Sequence, residues 1–140
     1  MSMYDLQRFL KAQERDYETA LQEICNGRKV SHWIWYIFPQ VKGLGFSSTS
    51  EYYGIEDLDE AKAYLGNYTL KERLLEISAA LLDLETNNAR EVMGSPDHLK
   101  LKSSMTLFAM AEPNIPIFKQ VIDKYYDGVM DEKTMKILKK

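Results

Sequence analysis

Two short stretches of the chain bring together side chains that could do chemistry. The first, Arg28-Lys29-Val30-Ser31-His32-Trp33-Ile34-Trp35-Tyr36-Ile37-Phe38-Pro39-Gln40, interleaves cations with aromatic rings. That mixture suits stacking on a flat ring while a cation holds a phosphate. His32 has a rigid aromatic setting, and an imidazole that titrates near 6.5 suits a general acid or base. The second stretch, Leu99-Lys100-Leu101-Lys102-Ser103-Ser104-Met105-Thr106-Leu107-Phe108, sets two lysines and three hydroxyls in an otherwise apolar segment. On a helix Lys100 and Lys102 lie about 160° apart, so both cannot face solvent if that helix is enclosed. A partly buried ammonium needs a carboxylate, a carbonyl cluster or an anionic ligand, and the hydroxyls of Ser103, Ser104 and Thr106 add donors to the same ligand.

Each of these residues also has an ordinary structural account. Aromatic residues are most often core, and a histidine beside them is most often a satisfied core histidine. An inward lysine can pair with a carboxylate, or bury its stem and keep its charge wet. Gln13 falls in the middle of an apolar stripe, where most amides simply bond a nearby backbone group. The functional reading places His32 as acid or base and Lys102 as electrostatic stabiliser, should turnover occur. It adds Gln13, Lys29, Trp33, Gln40, Ser103, Ser104 and Thr106 as contacts to a small anionic, nucleotide-like ligand in a polar pocket. The alternative is a structural or protein-interaction module without catalytic activity, in which the polar core groups serve only folding.

Other signals fail on inspection. Gly43-Leu44-Gly45-Phe46-Ser47-Ser48 has two glycines of a dinucleotide fingerprint but neither the strand before it nor the last glycine, so it reads as a turn. Ser48-Thr49-Ser50 after it suits a helix cap. Cys25 sits at a helix C-terminus, where the dipole disfavours a thiolate. One cysteine and two distant histidines make no recognised zinc pattern, and no cofactor motif is present. A net charge of −3 gives no long-range attraction for nucleic acid or anionic lipid. The longest apolar run, Trp33 to Phe38, is far below the roughly twenty residues that span a bilayer. The opening Met-Ser-Met-Tyr-Asp-Leu lacks a basic segment followed by an apolar one, so a cytoplasmic location is expected. A monomer or weak homo-oligomer is the expected state.

These residues must be held by helices. With 45 % hydrophobic and 28 % charged residues in 140, the chain has the composition of one globular domain, spanning residues 1–140. Size scaling gives such a domain a folded surface of roughly 7,500 Å². From Asp5 to Cys25 the apolar residues fall on a stripe about 120° wide, which predicts an amphipathic helix, capped by Asp5 and breaking near Arg15. Asn26-Gly27 supplies a left-handed residue after it. Leu70 to Leu84 repeats the pattern, a shorter helix is expected over Leu58 to Leu65, capped by Asp57 or Asp59, and a further turn near Ala89 to Met93. Ser95-Pro96-Asp97 reads as cap, first helical position and acidic residue at the positive end of a dipole. The helix that follows is apolar all round from Met105 to Ala111, which predicts a central, largely buried element. Ile117 to Tyr125 makes another helix, ended by Gly128, and Asp131 caps a last one that closes on Lys139 and Lys140. Trp33 to Phe38 favours a strand by propensity but has no partner of comparable strength. A buried helical turn or irregular segment follows, and the fold class is all-α.

The sequence resembles the bacterial domain-of-unknown-function 1810 family along nearly its whole length. The likeness is carried by Leu6-Gln7-Arg8-Phe9 with Ala12-Gln13, Ser31 to Gln40, Gly43-Leu44-Gly45, Tyr53-Gly54-Ile55, Asp59-Glu60-Ala61 and Asp97 to Phe108. His-Trp-x-Trp and Ser-Ser-Met-Thr-Leu-Phe are specific in combination. The resemblance implies a single compact multihelical domain, and it carries no catalytic role to any residue.

Overall fold

In the computed structural model, which describes residues 4–139, the amphipathic stripe of the N-terminal segment forms α1 (Gln7–Cys25) without interruption at Arg15. Phe9, Ala12, Gln13, Tyr17, Ala20 and Ile24 make its buried face. Asp5 does not cap it. The carbonyls of Tyr4 and Leu6 take the first amides, and the Asp5 carbonyl receives the Arg8 guanidinium, so no side-chain cap is needed. Gly27 follows with φ +83°, the left-handed residue expected there.

The aromatic run folds as a single helical turn, α2 (Ile34–Ile37), whose Ile34, Tyr36 and Ile37 are buried. After it come α3 (Ser48–Tyr53), α4 (Leu58–Gly66), α5 (Tyr68–Asp83) and α6 (Ala89–Met93). Ser47, rather than Ser48 to Ser50, caps α3 by accepting the Ser50 amide. Asp57 caps α4, and Asn67 and Asn88 do the same for α5 and α6. The only pairing of extended backbone among the described residues is a parallel bridge between Val41 and Ile55. Gly54 makes this approach feasible, since a Cβ there would lie 2.9 Å from the Lys42 Cα.

The central element is α7 (Asp97–Ala111), buried over Leu101 and from Ser103 to Ala109. It packs against α8 (Ile117–Tyr126), α4, α6, α9 (Glu132–Leu138) and α2. Ser95 is not its cap, because the carbonyls of Gly94 and Pro96 already take the amides of His98 and Leu99. Pro96 accordingly stands at the cap position and α7 opens at Asp97. Asp127 and Gly128, both with positive φ, end α8, and Asp131 caps α9 through the Thr134 amide and hydroxyl. Lys140 lies outside the described residues.

One apolar cluster joins residues of α1, α2, α4 to α8 and the Val41–Ile55 bridge, and the accessible surface is 7610 Å². That area matches a chain of this mass folded around one core. The fold is therefore all-α with α7 at its centre, as the unbroken apolar pattern of that helix predicts. Among the described residues no helix is long and apolar enough to cross a membrane.

Candidate functional site

The connection Arg28 to Trp33 is fixed to α1 by one carboxylate. Glu23 accepts the amides of Val30 (2.8 Å) and Ser31 (2.9 Å), the Ser31 hydroxyl (2.6 Å) and the Trp33 indole N–H (2.9 Å). Burial raises the affinity of this carboxyl for a proton, but the donors from Ser31, Val30 and Trp33 outweigh it and bring the pKa down to about 2. A folded-state pKa below the unfolded value contributes stability that is complete above about pH 4.5 and is lost as the pH falls toward 2. Glu23→Gln is expected to cost about 1.5–3 kcal/mol at pH 7, because a neutral amide turns one of its own donors toward these donors. The gap to wild type should close as the pH approaches 2, which urea unfolding over a pH series will measure.

Just beyond this latch, Asp97 at the start of α7 holds two lysines. Lys29 approaches one carboxylate oxygen at 2.8 Å and Lys100 the other at 3.1 Å. Burial raises the Asp97 pKa, and the two ammonium groups more than reverse that and hold it below the usual carboxylate range. Each lysine also covers an aromatic face, Lys29 over Trp33 at 4.9 Å and Lys100 over Trp35 at 4.3 Å. The two tryptophans thereby part company. Trp33 is 1 % exposed and belongs to the core, whereas the half-buried Trp35 forms part of a cleft wall.

That cleft, of about 530 Å³, opens between the end of α2, the first turns of α7 and the connection from α8 to α9. It is lined by Trp35, Gln40, Leu44, Lys100, Lys102 and Ser103 together with Val129 to Lys133. Gln40 is held in register by its backbone, whose carbonyl accepts the Ile55 amide at 2.8 Å, next to the Val41–Ile55 bridge. The residue is 9 % exposed, and its Nε2 atom is wholly buried with no hydrogen-bond partner among the described residues. The Lys102 ammonium lies 5.9 Å from the Tyr126 ring centroid and, among the described residues, has no carboxylate within ion-pairing distance. The Ser103 hydroxyl donates to the Leu99 carbonyl at 3.2 Å and keeps its lone pairs. Of the acidic residues lining the cleft, Asp131 is committed to the α9 cap and Glu132 faces Lys136 at 3.6 Å.

The cleft thus unites three of the residues expected from sequence, Gln40, Lys102 and Ser103, and adds Trp35 and Lys100. The others lie elsewhere. His32 is exposed and does not line the cleft, although its carbonyl accepts the Tyr36 hydroxyl at 3.3 Å. Gln13 is buried, donating to the Tyr36 carbonyl (2.8 Å) and the Tyr64 hydroxyl (2.9 Å). Lys29 and Trp33 form the Asp97 and Glu23 contacts already described. Thr106 is fully buried and joins α7 to the next connection, donating to the Lys102 carbonyl and accepting the Asp131 amide, each at 2.8 Å. Ser104 is fully buried without a partner for its hydroxyl.

Nine helices among the described residues, with a lysine-lined cleft built on α2 and α7, define a class of small helical proteins rather than a known reaction. Within that class the chain belongs to the family described as "Protein of unknown function (DUF1810)", which it matches over residues 3–138. It is also similar to the conserved hypothetical protein Rv1873 from Mycobacterium tuberculosis, known from a crystal structure. The identity is 41 %, the TM-score 0.97, and the match covers 99 % of each chain. No curated protein matches the chain.

Proposed function

We propose that the cleft between α2, α7 and α9 binds a small anionic ligand of nucleotide-like shape. The observation that carries this reading is that one cleft is lined both by Gln40, whose buried amide donor has no partner among the described residues, and by Lys102, whose ammonium has no carboxylate among them. The Nε2 atom is closed off from the cleft, so an anionic oxygen would meet it once the carboxamide turns toward the opening, and the contact would recover the roughly 1–3 kcal/mol that a buried N–H without an acceptor costs. Lys102 supplies the charge. Ser103 offers a hydroxyl, and Trp35 with Leu44 offers an apolar wall for a ring. The reading is one of binding, because His32 does not line the cleft.

Lys102→Met keeps most of the aliphatic stem and removes the cation. It should weaken binding of adenosine monophosphate by about 1.5–3 kcal/mol, the worth of a charge-assisted hydrogen bond. The melting temperature should scarcely change, since no carboxylate is stranded by the substitution. Calorimetric titration and thermal unfolding on the same variant check both. Absence of binding by adenosine monophosphate and by inorganic phosphate, or binding that ignores both Lys102→Met and Gln40→Ala, overturns the reading.

A second reading, an interaction module, draws on Leu99, Val129 and Phe46, which are 55 %, 57 % and 91 % exposed. Assembly that rises with concentration in sedimentation velocity would favour it.

A further inference from the structure

The cleft does not end at Lys102. Leu99 and Lys102 also line a second groove of about 420 Å³, which runs between α6, α7 and the end of α8. The Lys102 ammonium leans toward this groove, lying over the ring of Tyr126, which is one of its walls. It stands at the seam of two depressions.

The two have different chemistry. The first joins Trp35, Leu44, Val129 and Met130 to its cations, and so suits a flat apolar ring with a phosphate. The second is polar, with Asn87, Arg90, His98 and Asp127 at its walls. Arg90 is exposed and, among the described residues, has no carboxylate within ion-pairing distance, so its guanidinium is available to a phosphoryl oxygen. The groove's other cation, Lys124, is already spent on the carbonyls of Leu81, Leu82 and Leu84. Asp127 decides the rest. A purely anionic occupant would be repelled by this exposed carboxylate, whereas a ring of hydroxyls beside a phosphate would donate to it and to the Asn87 amide.

Building on the cleft reading, we infer that the ligand is a two-lobed diphosphate ester, with a nucleoside in the cleft and a second, polyhydroxylated group in the groove. Lys102 lies against the diphosphate between them, and Arg90 holds its far side. A ligand ending at its first phosphate would leave Arg90 and the groove unused.

The test compares three probes by calorimetry: adenosine monophosphate, adenosine diphosphate ribose and inorganic pyrophosphate. Adenosine diphosphate ribose should bind at least tenfold tighter than either of the others. Arg90→Ala should remove that advantage while leaving adenosine monophosphate affinity within twofold. Asn87→Asp, which adds a negative charge to the groove, should act in the same direction. Both positions are exposed and their side chains make no hydrogen bond among the described residues, so the fold should persist, as thermal unfolding will register. If adenosine monophosphate binds in a Gln40-dependent manner and the larger ester binds no tighter, the two-lobed ligand is excluded and the cleft reading stands. Equal affinity for pyrophosphate and the larger ester, or an advantage unmoved by both variants, likewise excludes it. If none of the three binds, the cleft reading falls first.

Discussion

Arg8→Met is expected to lower the stability of the domain by about 3–5 kcal/mol, the loss that follows when one partner of a buried ion pair is removed. The Arg8 and Glu60 side chains are 8 % and 2 % exposed and meet at 2.9 Å. Glu60 has little else to share its charge with, as its second oxygen accepts the Glu56 amide at 2.7 Å. Methionine replaces the aliphatic length of Arg8 and none of its donors. The guanidinium also donates to the carbonyls of Asp5, Tyr52 (2.8 Å) and Gly54 (3.1 Å), and of these acceptors the part-buried Gly54 carbonyl is the one the variant strands away from water. Because Ile55 follows directly and fixes the Gln40 carbonyl, the damage should reach the cleft. Urea unfolding measures the cost. The double variant Arg8→Met/Glu60→Gln separates the stranded charge from lost packing. It should recover a large part of the loss, because removing both charges is far less costly than removing one. No recovery would locate the effect in the carbonyl contacts instead.

This ion pair had no signature in the sequence. Arg8 lies on α1 and Glu60 on α4, and nothing in their local spacing marks one as the partner of the other. The helices themselves were readable because each is fixed by a local rule: apolar residues at a helical period give α1, α5 and α8, and an uninterrupted apolar run gives the enclosed α7. Side-chain caps were readable at Asp131 and, with Asp59 as the alternative, at Asp57, but not at Ser47, Asn67 or Asn88. They were misread at Asp5 and Ser95, where backbone carbonyls take over, because a carbonyl is offered by every residue and leaves no trace in sequence.

The same division runs through the candidate site. Lys102 and Ser103 were conspicuous as polar groups on an apolar helix, and Gln40 as a polar end to an aromatic run. His32 was conspicuous for the same reason, yet it sits in a bend before the α2 turn, and residue type alone cannot say whether such a residue faces the cleft. Trp33 and Trp35 were interchangeable on that criterion. What distinguishes them is long-range, namely which is met by Glu23 of α1 and which by Lys100 of α7.

That difference sets the second large effect. Trp33→Ala should cost about 3–5 kcal/mol, since the indole is almost wholly buried and its loss leaves a cavity as well as forfeiting transfer free energy. Glu23 would lose one of its donors, and the Lys29 ammonium would lose the ring beneath it. Trp35→Ala should cost only about 1–2 kcal/mol. Its ring is half-buried, and the Lys100 contact is worth roughly 0.5–2 kcal/mol, with Asp97 still holding that lysine after the ring is gone. The order reverses for binding. Trp35→Ala removes a wall of the cleft and should weaken adenosine monophosphate binding, whereas any Trp33→Ala protein that stays folded should bind much as wild type does. Guanidinium unfolding midpoints and calorimetric titrations on both variants make the comparison. Equal losses of stability would put both rings in the core and take Trp35 out of the cleft wall. Equal losses of affinity would mean that the α2 turn moves as one piece, so that the Glu23 latch, fixed on α1, sets the position of the binding wall.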